Sequence, residues 1–260
     1  MCRICTYVGK VDREILNEIC ETMLKVSRHD TIGILSGIDD YHPDGWGIYA
    51  TCRDVELYFR SSKPIYEDED TFKNIVKTLC KFEKLLTIMH IRAASEGEPI
   101  GFEHSHPYMI DFGNVKVVLA HNGAVKKIDI LDSIGMPYLK DYVTDSKALS
   151  IYIAYMLNKG KNIDDIIIEI MEKYTKTALM TSIYIRDLNS RKLVITSHIT
   201  ERARRRESYY RLYKVIGDEF TIYMSSSLVY NSHIECLKIS KCNTIQLPSR
   251  YYYEIINMDL

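Results

Sequence analysis

Between the apolar runs Met180 to Ile185 and Lys192 to Thr196 stands the turn-rich segment Arg186-Asp187-Leu188-Asn189-Ser190. A parallel connection needs a crossover of roughly a dozen residues or more, so a segment this short suits an antiparallel hairpin. Further strands are expected at Gly47 to Ala50, Val55 to Phe59, Leu86 to Ile91, Val115 to His121, Phe220 to Ser225 and Thr244 to Leu247. Helical spacing recurs elsewhere. Ile15, Leu16, Ile19, Met23 and Leu24 share one face of a helix over 11 to 28, and Phe72, Ile75, Val76 and Leu79 one over 69 to 83. Thr144 reads as the N-cap of a helix ending near Gly160, and Asn162 as the cap of another along Ile166 to Tyr174. The pattern predicts a mixed α+β chain with at least one antiparallel sheet. No linker or solenoid repeat divides it, so one domain over 1–260 is expected.

The 34 basic and 35 acidic residues nearly cancel, so no global field points to nucleic acid or membrane. No apolar run reaches the roughly 18 residues that span a bilayer, and the amino terminus lacks a secretory pattern. A cytoplasmic protein is expected. The 7 cysteines are odd in number and follow no framework spacing, so they are expected to be reduced.

Several polar clusters stand where strands meet loops. The chain opens Met1-Cys2. Removing the methionine would leave a residue with both a thiol and a free α-amine, whose unperturbed pKa of roughly 7.7 to 8.0 suits it to take the thiol's proton. His42-Pro43-Asp44-Gly45-Trp46-Gly47 reads as a turn. In His90-Ile91-Arg92-Ala93-Ala94-Ser95 an arginine ends an apolar strand, where it is either solvated or offers a planar fork to a carboxylate. His104-Ser105-His106-Pro107 precedes the strand that ends in His121-Asn122-Gly123. Asn-Gly is first a tight-turn signal, yet at a strand end the asparagine amide and the glycine N–H could aim two donors at one oxyanion. Asp145, in Thr144-Asp145-Ser146, either serves the helix dipole or accepts from a substrate ammonium.

Taken in order, these pieces resemble the class II glutamine amidotransferase domain, a family of N-terminal nucleophile hydrolases. The matching residues are Cys2, Asp44-Gly45-Trp46-Gly47, His90-Ile91-Arg92-Ala93-Ala94-Ser95, Ser105-His106-Pro107, Ala120-His121-Asn122-Gly123 and Thr144-Asp145-Ser146. The wording is most similar to the stand-alone branch that includes the γ-glutamyl amidohydrolase of ergothioneine synthesis. The resemblance implies a four-layer αββα sandwich of two antiparallel sheets between helices. It implies that Cys2 attacks the side-chain amide of glutamine or a γ-glutamyl compound, forms a thioester and releases ammonia or an amine. Asn122 and Gly123 would stabilise the oxyanion, Arg92 would hold the α-carboxylate and Asp145 the α-ammonium. Ser95 and His106 would be pocket residues, and Gly45, Trp46 and Gly47 the wall beside the nucleophile. That chemistry requires no metal or organic cofactor. Ala93 and Lys147 stand where synthase-linked members carry a large aromatic and an acidic residue, which bears on the leaving group and acceptor.

Other readings compete. Cys2-Arg3-Ile4-Cys5 is formally a Cys-x-x-Cys, either half a zinc site, with Cys236 and Cys242 too widely spaced to complete it, or a redox pair. His104, His106, His121 and Asp145 could ligate a catalytic metal in a metal-dependent hydrolase. The basic 202–214 segment, with Arg202, Arg204, Arg205, Arg206, Arg211 and Lys214 among Tyr209, Tyr210 and Tyr213, could grip nucleic acid, dock an ammonia-accepting synthase subunit, or be a solvated loop.

Overall fold

The computed structural model describes residues 2–38, 40–95, 97–232 and 242–258. From the amino terminus come β1 (Arg3–Lys10), α1 (Arg13–Arg28), α2 (Thr31–Leu35), β2 (Trp46–Cys52), β3 (Val55–Ser61), α3 (Glu69–Leu79) and β4 (Lys84–Ile91). The middle of the chain forms β5 (Tyr108–Phe112), β6 (Val115–Val125), α4 (Lys127–Ser133), α5 (Asp145–Asn158), α6 (Ile163–Glu169), β7 (Thr175–Arg186) and β8 (Arg191–Ile199). It closes with α7 (Glu207–Tyr210), β9 (Leu212–Ile216), β10 (Phe220–Ser225), α8 (Ser226–Asn231), β11 (Asn243–Gln246) and β12 (Tyr252–Asn257).

The strands form two sheets, ordered β11-β9-β10-β1-β4-β2-β3 and β12-β8-β7-β6-β5, and every neighbouring pair is antiparallel. Side chains alternate across each strand, and both faces are buried. Leu85, Met89 and Ile91 of β4 meet Leu16, Ile19 and Met23 of α1 and Phe72 of α3. Their neighbours Leu86 and Ile88 face the second sheet, meeting Val118, Ala120 and Met180. On the far side Val117, Leu119 and Ile183 pack under Leu149 and Ile153 of α5 and Ile166 of α6. Three apolar layers separate four layers of structure, the αββα sandwich. Burial on both faces explains why these strands read as continuous apolar runs rather than alternating ones.

The caps Thr144 and Asn162 fall where the sequence places them, accepting from the N–H groups of Lys147 and Asp164. Asp12, which the sequence reading does not mark as a cap, accepts from the N–H groups of Glu14 and Ile15. Two helices differ from expectation: α3 ends at Leu79, and α6 gives way after Glu169 to a π-turn over Ile170–Tyr174. β1, β5, β9 and β12 were not apparent from periodicity. β1 is hidden because Arg3 and Thr6 are buried polar residues, Thr6 donating to Ser182 Oγ across the inter-sheet layer at 2.6 Å.

Cys2, Cys5, Cys20, Cys52 and Cys80 carry free thiols. Cys242 is disulfide-bonded, a departure from the expected fully reduced set, and Cys236 lies outside the described residues. Cys5 is buried beneath α1, whereas Cys2 lines a cavity, so the two do not act as a Cys-x-x-Cys pair. Among the described residues no helix is long and apolar enough to cross a membrane.

Candidate active site

Cys2 stands one residue before β1, the strand between β4 and β10. Arg92 follows the last residue of β4, which pairs with Arg3. Asn122 and Gly123 lie in β6 of the other sheet, and Asp145 opens α5. The sheets meet at these ends. There Cys2, Arg92, Asn122, Gly123 and Asp145 line one small cavity of about 40 Å³, together with Ser95, Glu98 and His106.

Cys2 is half-buried, its thiol directed at the Ala93 carbonyl across 3.8 Å, while its own carbonyl accepts from the Tyr209 hydroxyl. The Ala93 loop is held by the turn preceding β2. Asp44 Oδ2 accepts from Ala94 N–H at 2.6 Å, and Arg92 N–H donates to the Gly45 carbonyl at 2.9 Å. Asp44-Gly45 is therefore more than a turn: it fixes the segment facing the thiol. Arg92 is buried. Its Nη2 donates to the Pro99 carbonyl at 2.9 Å, whereas Nη1 has no partner. A buried, unsatisfied guanidinium nitrogen costs free energy unless a ligand completes it, which suits an anion-binding role.

Asn122-Gly123 is not a hairpin turn. β6 continues through it, Asn122 pairing with Met180 and Gly123 with Leu179, before a register shift ahead of Val125. Gly123 has φ of 144° and a Cβ there would fall 1.9 Å from the Ala178 carbonyl oxygen, so only glycine fits. β5 leaves the edge of β6 at the Tyr108 and Leu119 pair, and beyond it Asn122 is buried with Oδ1 unpartnered. Past the bulge, Val125 N–H donates to Asp145 Oδ2 at 3.0 Å, and Ser146 Oγ donates to Asp145 Oδ1 at 3.1 Å. Asp145 thus ties α5 to β6, and its carboxylate keeps acceptor capacity for another donor.

The histidines separate by role. His121 contacts Ser146 Oγ through Nδ1 at 2.9 Å and the Ala178 carbonyl through Nε2 at 3.2 Å. His106 stacks on His90 with ring centroids 4.2 Å apart and lies against Tyr108, neither of its nitrogens partnered. Burial, followed by the charges of His90 and Arg92, holds it well below the usual imidazole range, so it meets the pocket as a neutral ring. His104 does not line the cavity. Among the described residues no group of three His, Cys, Asp or Glu side chains converges as a metal site, so the metal-dependent alternative lacks its ligand set.

Trp46 and Gly47 do not line the cavity, contrary to the expected wall. Alternation on β2 turns the Trp46 side chain under the helices, against Phe59 and Phe72, with Nε1 donating to Asp68 Oδ2 at 3.2 Å. Gly47 lets the Ser105 to Pro107 segment lie against β2, since a Cβ there would be 2.2 Å from the His106 carbonyl oxygen. Tyr209, Tyr210 and Tyr213 are 1%, 3% and 8% exposed, so the basic segment presents no stacking platform to nucleic acid. Glu98 was not anticipated: nothing in its sequence neighbourhood marks it, and only the loop after Arg92 brings it to the cavity. Burial, then the nearby Asp145 carboxylate, raises its pKa.

The family profile described as "Glutamine amidotransferases class-II" matches residues 19–149. The chain belongs to the class II glutamine amidotransferases. A candidate glutamine amidotransferase of Haemophilus influenzae is 31% identical over 180 residues, covering 65% of this chain and 57% of that protein. This class II chain thus matches little more than half the length of that curated relative. A solved structure titled as the allosteric regulatory enzyme of purine biosynthesis superposes with a TM-score of 0.60 at 15% identity, over 99% of this chain and 47% of that one. At that identity the likeness speaks for the sandwich fold alone.

Proposed function

We propose that this protein hydrolyses the side-chain amide of glutamine or a γ-glutamyl compound through Cys2 acting as an N-terminal nucleophile. The observation that carries this reading is the single cavity shared by a thiol, a strand-end Asn-Gly, a buried arginine with an unpartnered nitrogen and a carboxylate. After removal of Met1, the Cys2 α-amine takes the thiol proton directly or through water, and the sulfur attacks the amide carbon. Asn122 and the Gly123 N–H stabilise the oxyanion. The amine leaves with the proton, and water then hydrolyses the thioester to glutamate. Arg92 and Asp145 fix the substrate's charged ends, carboxylate and ammonium respectively, and Ser95 and His106 complete the pocket.

The test is turnover. Wild-type protein releases glutamate from glutamine or a γ-glutamyl amide, and Cys2→Ala abolishes release with the thermal unfolding profile retained. Undiminished release by the Cys2→Ala protein refutes the reading.

A further inference from the structure

The cavity around Cys2 does not stop at Asp145. Ser95, Glu98, Gly123 and Asp145 also line a cleft of about 810 Å³, far more room than an ammonia leaving group needs. Six cations line it, Lys126, Lys127, Lys176, Arg202, Arg205 and Arg206, against the carboxylates Glu98, Asp129 and Asp145. Two of those carboxylates sit at the end shared with the Cys2 cavity, so the outer cleft is strongly positive in a chain of net charge -1. The arginines are held there by their neighbours. Ala203, Tyr209 and Tyr210 are buried in the inter-sheet layer, and Thr200 N–H donates to the Thr177 carbonyl at 2.9 Å, beside Lys176. Arg204, outside the cleft, pairs with Glu201 at 3.6 Å; among the described residues Arg202, Arg205 and Arg206 form no ion pair.

We propose that this cleft receives a phosphate carried on the amine portion of a γ-glutamyl amide, making the substrate a γ-glutamyl conjugate of a phosphorylated amine. The inference rests on the amidase reading above. The glutamyl end is zwitterionic and would meet Arg92 and Asp145, and the shared lining of Ser95, Glu98, Gly123 and Asp145 sets the cations of the cleft next to it, where the remainder of the substrate would lie. Guanidinium forks match a phosphate's geometry, and clustered cations raise the encounter rate of a dianion. In the reaction the Cys2 S–C bond forms as the C–N bond breaks, and the proton taken from the thiol goes to the departing phosphorylated amine. Water then forms the C–O bond as S–C breaks, and the thiol regains a proton.

The experiment compares γ-glutamyl-2-aminoethyl phosphate, γ-glutamyl-2-aminoethanol and glutamine. The phosphorylated amide is expected to have kcat/KM about 100-fold above its neutral counterpart at low salt, with the advantage shrinking as ionic strength rises. Combining Arg202→Gln, Arg205→Gln and Arg206→Gln is expected to erase that preference and leave glutamine hydrolysis unchanged, while Arg204→Gln retains it. Equal kcat/KM for the two conjugates, with glutamine still hydrolysed, overturns this inference alone. So does retention of single-stranded RNA by the same arginines without any substrate preference. No turnover of any of the three amides by Met1-free protein overturns the amidase reading instead, and this inference with it.

Discussion

Arg3 donates its Nε–H to Asp30 Oδ2 across 2.6 Å, with neither side chain exposed to solvent. Arg3 also donates Nη1–H to the Tyr209 carbonyl at 2.9 Å and lies over the Tyr209 ring. Asp30, the N-cap of α2, accepts from Gly33 N–H, from Ser227 Oγ and, at 3.0 Å, from His42 Nε2. Desolvation opposes the charge on Asp30, but the His42 and Arg3 hydrogen bonds outweigh it and hold the carboxyl well below the usual range. The residue next to Cys2 is thus anchored from within the fold.

Breaking that pair leaves a buried charge uncompensated. Asp30→Asn or Arg3→Met is expected to destabilise the protein by about 3 to 5 kcal/mol in urea unfolding. A loss under 1 kcal/mol would mean the pair is not holding the start of β1.

His42 gives the fold an acid sensitivity. Burial, partly offset by the Asp30 hydrogen bond, pushes its pKa down to about 4 from the ordinary imidazole value of about 6.5. Between those values the unfolded chain binds a proton that the folded protein does not, so stability rises with pH across the window. The contribution is complete above about pH 6.5 and falls away towards pH 4, on the order of 3 kcal/mol for this group. His90 and His106, also lowered by burial, act in the same direction. Urea midpoints at pH 7 and pH 5 should differ, and His42→Gln should reduce the difference; equal midpoints in the wild type would refute this.

At the proposed oxyanion position, Asn122→Ala is expected to lower kcat by about 10² to 10³ with little change in KM. A change confined to KM would reassign Asn122 to ground-state binding. Gly123→Ala is expected to cost at least about 2 kcal/mol of stability, because its Cβ meets the Ala178 carbonyl. Wild-type stability in that variant would contradict the backbone geometry.

Arg92→Lys should raise KM for glutamine by about tenfold while kcat falls less, since a point charge replaces a planar fork. Equal losses in kcat and kcat/KM would place Arg92 in the transition state instead.

The sequence discloses the parts of this architecture set by local chemistry. Thr144, Asn162 and the segment around Asp187 mark element ends through their own backbone hydrogen bonds. The strands β4, β6 and β7 stand out because both faces are apolar. β1 does not, because Arg3 and Thr6 find their partners 27 and 176 residues away. The same limit governs the site. Cys2, Arg92, Asn122, Gly123 and Asp145 were named from their motifs, and one cavity gathers them. The resemblance places Trp46 at the wall beside the nucleophile, yet strand alternation turns it to the helices. Glu98 and the outward-facing arginines acquire meaning only when distant loops meet.

The most direct test of the account is mass spectrometry of native protein before and after treatment with a glutamine-mimicking alkylating ketone. Met1 is expected to be absent, and a single adduct is expected on the Cys2 sulfur, blocked by excess glutamine. A trimmed chain that remains unlabelled at Cys2, or is labelled at another cysteine instead, would contradict it.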